Sequence, residues 1–260
     1  MVRMSESDSK ALAPQRWKNL RALVRDSGVV RIEDLCRQLG VSAATVRRDL
    51  DELERSGAIR RVHGGAVSVE SRLEEPVFAD KTARAAREKR RIAEAALEFV
   101  APGDTIYLDG GSTVLEFARL LRDRPNLTVV TNSLHAALEL AGTGPRLILI
   151  GGELRRLSQT LVGPLTRLIL DELHLDKAFM GTIGFSLDEG LTTTDPSEAF
   201  TKELVTRKAR QVIVLADSSK AGKVSFSRAG RWDRVQVLIT DKPVEFAKQL
   251  AKKGVKLVRA

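Results

Sequence analysis

From Thr105 to Ile239 the chain repeats one pattern six times: a short run of β-branched and apolar residues, an end in small or polar residues, then a stretch with helical spacing. The runs are Thr105–Leu108, Leu127–Val130, Leu147–Ile150, Lys177–Met180, Val212–Leu215 and Val235–Ile239. Strands joined by helical crossovers form a mostly parallel sheet covered by helices, so most of the chain is predicted to be an α/β domain. The strand ends contain Asp109-Gly110-Gly111-Ser112-Thr113, Thr131-Asn132-Ser133, Gly151-Gly152, Gly181-Thr182 and Asp217-Ser-Ser-Lys220. In a parallel sheet these ends share one edge, and that edge is where α/β folds bind ligands.

The stretch before it has a different period. Apolar residues recur at helical spacing in Trp17, Leu20, Leu23 and Val24, then Ile32, Leu35 and Leu39, then Val46, Leu50 and Leu53. Gly28 and Gly40 separate three short helices, Ser42 is placed to cap the third, and Ala58 to Ala66 reads as a basic hairpin. Helices followed by such a hairpin make a winged helix-turn-helix. We therefore expect a DNA-binding domain at 14–66, a polar linker at 67–80 marked by Glu74, Glu75 and Pro76, and an effector-binding domain at 81–260.

With Val46, Leu50 and Leu53 turned to the core, the third helix presents Ala44, Thr45, Arg47 and Arg48 outward, with Ser42 at its start. A guanidinium can bind guanine in the major groove or a phosphate, and a threonine can meet a phosphate or a thymine methyl. Arg60, Arg61 and His63 on the hairpin are placed to reach the adjacent backbone or minor groove. From Pro14 to Gly65 there are 11 Lys/Arg against 7 Asp/Glu, an excess of +4 within a chain of net charge +9. Double-stranded DNA is the expected partner. With aromatics at 4% there is no stacking surface for RNA.

For the larger domain, Asp109, Gly110, Gly111, Ser112 and Thr113 join a strand to a helix, where free amides form a cradle for a phosphate. Lys220 brings a cation to the same edge. Thr131, Asn132, Ser133, Gly151 and Gly152 add hydroxyl, amide and small-residue positions. Each of these is also ordinary turn chemistry, and their shared edge is what argues for a ligand. His135 and His174 read as packing or surface residues, and Asp195-Pro196 and Asp241 with Pro243 as helix starts. One cysteine, Cys36, allows no internal disulfide, and the three histidines have no zinc-like spacing. No metal, no cofactor and no catalytic residue is expected. The polar first ten residues and the lack of a roughly 20-residue apolar span give an expectation of a cytoplasmic protein.

The same residues resemble the DeoR family of bacterial sugar-metabolism regulators over nearly the whole chain. Val41-Ser42-x-x-Thr45-Val46-Arg47-Arg48-Asp49-Leu50 and Arg61-Val-His-Gly-Gly-Ala66 carry the resemblance in the first part. Glu88-Lys89, Asp109-Gly-Gly-Ser-Thr113, Val130-Thr-Asn-Ser133, Ile150-Gly-Gly152, Val162-Gly-Pro164 and Leu215-Ala-Asp-Ser-Ser-Lys220 carry it in the second. The resemblance implies a winged helix-turn-helix followed by a sensor domain related to ribose-5-phosphate isomerases. It also implies a phosphorylated sugar as effector and a homo-oligomeric repressor of a carbohydrate operon that the effector releases from DNA. Where the family usually has Asp-Ser-Gly-Thr-Thr, this chain has Asp109-Gly-Gly-Ser-Thr113. The alternative reading is a phosphosugar isomerase-like enzyme with a DNA-binding appendage. Those isomerases place paired acidic residues after the middle strand, whereas here that strand runs into Gly181-Thr182-Ile183-Gly184.

Overall fold

The computed structural model describes residues 13–27, 29–55, 59–62, 65–68, 75 and 78–260. Contacts divide the chain into two units, Met1–Glu74 and Glu75–Ala260. His63 and Gly64 of the expected wing, and the side chain of Arg60, lie outside the described residues. Of the expected linker, Val67 and Ser68 belong to a strand, Phe78 opens a helix, and Glu75 is buried.

In the first unit, α1 (Ala13–Ser27), α2 (Ile32–Leu39) and α3 (Ala43–Arg55) pack over a small sheet of β1 (Val29–Arg31), β2 (Ile59–Val62) and β3 (Gly65–Ser68), ordered β1-β3-β2. Leu20, Leu35, Val46, Leu50 and Ile59 close the core. Gly40 ends α2 in the left-handed conformation, φ 65°, its N–H donating to Cys36 O at 3.0 Å, and this turns the chain into α3. Ser42 Oγ accepts from Thr45 N at 3.3 Å, the cap expected from its position. The strand β1 was not legible, being only three residues long after a glycine. It depends on Gly65, where a Cβ would come 2.3 Å from Val30 O.

In the second unit the elements in chain order are α4 (Phe78–Ala83), α5 (Ala86–Ala96), β4 (Thr105–Leu108), α6 (Ser112–Arg119), β5 (Thr128–Thr131), α7 (Leu134–Leu140), β6 (Arg146–Leu149), β7 (Glu153–Arg155), β8 (Thr160–Val162) and α8 (Leu165–Leu170). The chain continues through β9 (Leu175–Met180), β10 (Gly184–Ser186), β11 (Gly190–Thr193), α9 (Pro196–Lys208), β12 (Ala209–Leu215), β13 (Ser227–Gly230), β14 (Val237–Thr240), α10 (Ala247–Lys252) and β15 (Lys256–Arg259). Seven strands form a sheet ordered β15-β14-β12-β9-β4-β5-β6, with every pairing parallel.

Period-2 alternation fills two cores, one on each face of the sheet. Ile106, Leu108, Phe179, Ile213 and Ile239 pack on one face with Ile92 of α5 and Phe117 of α6. Tyr107, Ala178, Met180, Val214 and Leu238 pack on the other with Val205 of α9 and Leu250 of α10.

The topology also fixes where a ligand can enter. After β4 the sheet grows outward through β5 and β6, and after β9 it grows the opposite way through β12, β14 and β15. Neighbouring β4 and β9 therefore send their chains in opposite directions and leave a crevice beyond their C-terminal ends. The β7–β8 hairpin, the β10-β11-β13 sheet and β15 had no counterpart in the sequence reading. Strands of three or four residues such as Ser227–Gly230 are too short to show a period. No helix among the described residues is long and apolar enough to cross a membrane.

Candidate recognition helix and ligand pocket

On α3, Ala44, Arg47 and Arg48 are exposed and Thr45 is half-buried, with exposed Ser42 preceding them. Neither Arg47 nor Arg48 has an ion-pair partner among the described residues, so both guanidiniums face solvent with all donors available. Arg61 is differently placed. Its side chain pairs with Asp51 of α3, and its backbone N–H donates to Glu54 Oε1 at 2.8 Å, which fastens the hairpin to the helix. Asp49, which belongs to an acidic stretch in the sequence, is buried and receives Arg16 Nε at 2.5 Å and Trp17 Nε1 at 2.8 Å. Burial alone would push its carboxyl up, but these hydrogen bonds outweigh it and hold the group below its ordinary value. Asp49 thus ties α1 to α3, leaving the surface of α3 to its two free arginines.

In the second unit, the crevice between β4 and β9 is a pocket of about 400 Å³, mouth included. The turn Gly110-Gly111 with the start of α6 forms one wall, and Gly181, Thr182 and Ile183 form another. Lys220, Lys202 and Lys81 bring three ammonium groups to the lining, with Glu198 and Glu75 as the carboxylates.

The turn is built for close approach. A Cβ on Gly110 would come 2.2 Å from Thr160 Cγ2 of β8, and Gly111 lies at φ +131°, a conformation that side chains rarely adopt. No side chain caps α6 at Gly111, so the amides of its first turn lack a side-chain acceptor. Thr113 Oγ1, on that turn, is buried without a hydrogen-bond partner. Uncapped amides, the positive end of the helix dipole and an unsatisfied hydroxyl together form a receptor for an anion.

Beneath the turn, Asp109 accepts from Gly181 N at 2.9 Å and pairs with Lys202, joining the ends of β4 and β9. Lys202 Nζ also donates to Gly181 O at 3.1 Å and lies 3.4 Å from Glu198. Burial would lower the Lys202 ammonium, but Asp109 and Glu198 outweigh it and raise it, so it is a held cation and no proton acceptor near neutral pH. Glu198 is raised by burial, although Lys202 pulls it back.

Lys220 ends a short helical turn fixed by Asp241, whose carboxylate accepts from Ser218 N at 2.6 Å and Ser218 Oγ at 3.2 Å. Asp241 is therefore a clamp on this turn, and the next helix, α10, begins only at Ala247. Burial depresses Lys220 to about 8, with Asp217 opposing and Lys89, Lys81 and Lys202 adding to the fall.

Of the residues singled out in the sequence, the structure brings Gly110, Gly111, Ser112, Thr113 and Lys220 into one lining, with Asp109 directly below. It does not bring Thr131, Asn132, Ser133, Gly151 or Gly152 there. Thr131 Oγ1 donates to Leu108 O, Asn132 Nδ2 donates to Leu161 O, and Ser133 caps α7 by accepting from Ala136 N. Gly152 allows close packing on Val162 O, which a Cβ would approach to 2.8 Å. Sequence reasoning missed Lys81, Glu75, Ser158, Thr182 and Lys202. Glu198 was expected to be solvated but is 6% exposed. A signal existed for the last pair: Glu198 and Lys202 are four apart on one helix face. Asp195 caps that helix from Glu198 N at 2.9 Å with Pro196 next, as expected. His135 stacks on Phe78 at 3.9 Å, a packing role. Among the described residues no group of three metal-ligand side chains occurs.

Comparison with known proteins adds the family. The DeoR-like helix-turn-helix domain model matches residues 16–72, and the DeoR C-terminal sensor domain model matches residues 84–242. The HTH-type transcriptional regulator GlpR of Haloferax volcanii is 39% identical over 88% of this chain and 90% of that protein. The lactose phosphotransferase system repressor of Streptococcus mutans is 35% identical over 87% of this chain and 91% of its own length. Among solved structures, ribose 5-phosphate isomerase A of Methanocaldococcus jannaschii is 23% identical, covering 52% of this chain and 54% of that chain, with a TM-score of 0.40. With both family models matched in order and relatives aligned end to end, the chain belongs to the DeoR family of transcriptional regulators.

Proposed function

We propose that this regulator is a repressor of a carbohydrate operon, and that a phosphorylated sugar bound at the start of α6 releases it from operator DNA. Residues 14–66 then serve as the DNA-reading domain and 81–260 as the effector domain, acting as a cytoplasmic homo-oligomer on a two-part operator. The observation that carries the effector reading is the uncapped α6 turn, with buried, unpartnered Thr113 Oγ1, in a lining that also holds Lys220. A phosphate would satisfy all three at once. The names of the relatives point the same way, one of them being a repressor of a lactose uptake system. The isomerase-like alternative is disfavoured because the relatives are named as regulators and because Lys202 is held protonated.

A sugar phosphate found by thermal-shift screening should weaken binding to a selected operator duplex by roughly 5- to 150-fold, a coupling of about 1–3 kcal/mol. Reciprocity requires saturating operator to weaken effector binding by the same factor. Titration in both directions checks this, and a tightly bound ligand with no effect on DNA affinity would sink the sensor reading. A pH dependence follows from Lys220. Its charged form attracts the phosphate and is lost as pH rises through about 8, while the phosphate gains its second charge near about pH 6. Affinity should therefore be greatest between the two values and decline above the higher one. Calorimetric titrations across that window measure it, and Lys220→Met should flatten the alkaline limb.

A further inference from the structure

Glu75 lies between the spans matched by the two family models, 16–72 and 84–242. It is the first residue of the second unit. Its side chain is 1% exposed, yet it lines the ligand pocket. One carboxylate oxygen pairs with Lys81 Nζ at 2.6 Å; the other pairs with Arg155 Nη2 at 2.7 Å and accepts from Thr194 Oγ1 at 2.7 Å. Two cations and a hydroxyl converging on two oxygens form the donor set that a phosphate would also use.

We propose that Glu75 is an internal competitor of the effector: its carboxylate holds the Lys81 and Arg155 end of the pocket until an anionic ligand displaces it and frees the chain that leads to the DNA-binding unit. This inference rests on the anion-site reading given above. Its physical basis is charge balance. In the lining, Lys81, Lys202 and Lys220 face Glu75 and Glu198, and Asp109 sits under Lys202, so three cations meet three anions. A phosphate dianion entering this balanced, buried set would leave a charge excess, and burying an uncompensated charge is strongly unfavourable. Expelling Glu75 removes one negative charge and returns Lys81 to the ligand. The two anions therefore exclude one another.

The position of Glu75 makes this exclusion consequential. The wing strand β3 ends at Ser68, and the chain is next held on the second unit at Glu75, ahead of α4. Loss of the Glu75 contacts moves the first anchor of the second unit to Phe78, which is buried. The connection then spans more residues, which changes how it constrains two linked DNA-reading domains. Differential affinity of the ligand for the anchored and released states is what a population shift requires.

The test uses the full chain with inorganic phosphate as probe, comparing wild type with Glu75→Gln and Lys81→Gln by calorimetry and by amide hydrogen exchange of the segment 75–83. In wild type, phosphate should speed exchange in that segment. Glu75→Gln, close to isosteric, should bind phosphate roughly tenfold tighter and show fast exchange with or without it. Lys81→Gln should also exchange fast without phosphate, but should bind it more weakly. If Glu75→Gln binds phosphate no more tightly than wild type, and the anion leaves exchange at 75–83 unchanged, Glu75 is a plain structural ion pair and the inference is overturned, while the anion site stands. No phosphate binding by any of the three proteins would overturn the site and the inference together.

Discussion

Replacing Lys202 with methionine should destabilise the second unit by about 3–5 kcal/mol, the usual result of removing one partner from a buried ion pair. The ammonium is 4% exposed, pairs with Asp109, donates to Gly181 O and lies 3.4 Å from Glu198. Methionine nearly matches the lysine stem in volume, so the loss comes from two carboxylates stranded in the interior rather than from a cavity. The pH dependence has a definite sign. Burial already raises the Glu198 carboxyl, and without Lys202 it must rise further and bind a proton on folding. Where the folded state binds more protons than the unfolded state, stability falls as pH rises. The deficit of the variant should thus be smallest in acid and grow as pH climbs through and above the ordinary carboxylate range. Urea unfolding at about pH 5 and about pH 8, followed by Trp232 fluorescence in a Trp17→Phe background, measures both magnitude and slope. A loss under about 1 kcal/mol with no slope would place Lys202 among solvated pairs.

The parallel sheet was legible because its strands are buried on both faces, and such strands write themselves as continuous apolar runs in Thr105–Leu108 and Val212–Leu215. The helix-turn-helix was legible because Gly40 and Ser42 do a specific job each, the left-handed stop and the cap. Half of the ligand pocket was legible for the same local reason, since Asp109 to Thr113 is a strand-to-helix turn that glycine alone allows. The other half was not, because Lys81, Glu75 and Lys202 come from α4, the segment before it and α9, and only the sheet topology brings them to the β4–β9 crevice. Their charges read as solvated surface in a sequence, because a single buried ion looks like an exposed one until its partner is located. Conversely, Thr131 to Ser133 sit at the correct sheet edge but spend their polar atoms on the turn and on α7. Edge position is thus necessary for a ligand contact and is not sufficient. What distinguishes Thr113 is an oxygen with no internal partner.

Replacing Arg47 and Arg48 together with alanine should lower specific DNA binding by about 2–6 kcal/mol, if each contributes about 1–3 kcal/mol as a base or phosphate contact. The expectation rests on a contrast within one surface. Arg16 is spent on Asp49, Arg55 pairs with Glu52, and Arg61 pairs with Asp51, whereas Arg47 and Arg48 are exposed without ion-pair partners among the described residues. Consecutive helix positions point roughly 100° apart, so the two guanidiniums do not read the same base. One is expected to face base edges and the other the sugar-phosphate backbone. Single variants on a duplex selected from a random pool, and on an unselected duplex, assign the roles. Loss of a base contact weakens the selected duplex alone, while loss of a phosphate contact weakens both and reduces the slope of affinity against salt by about one counterion. Arg61→Ala should have a smaller direct effect, because its guanidinium is already neutralised by Asp51, and part of its loss should reappear as a less stable hairpin rather than as weaker binding at saturating protein. If the Arg47→Ala/Arg48→Ala protein binds both duplexes as tightly as wild type, α3 is not the element in the groove, and the reading surface must be sought on the hairpin instead.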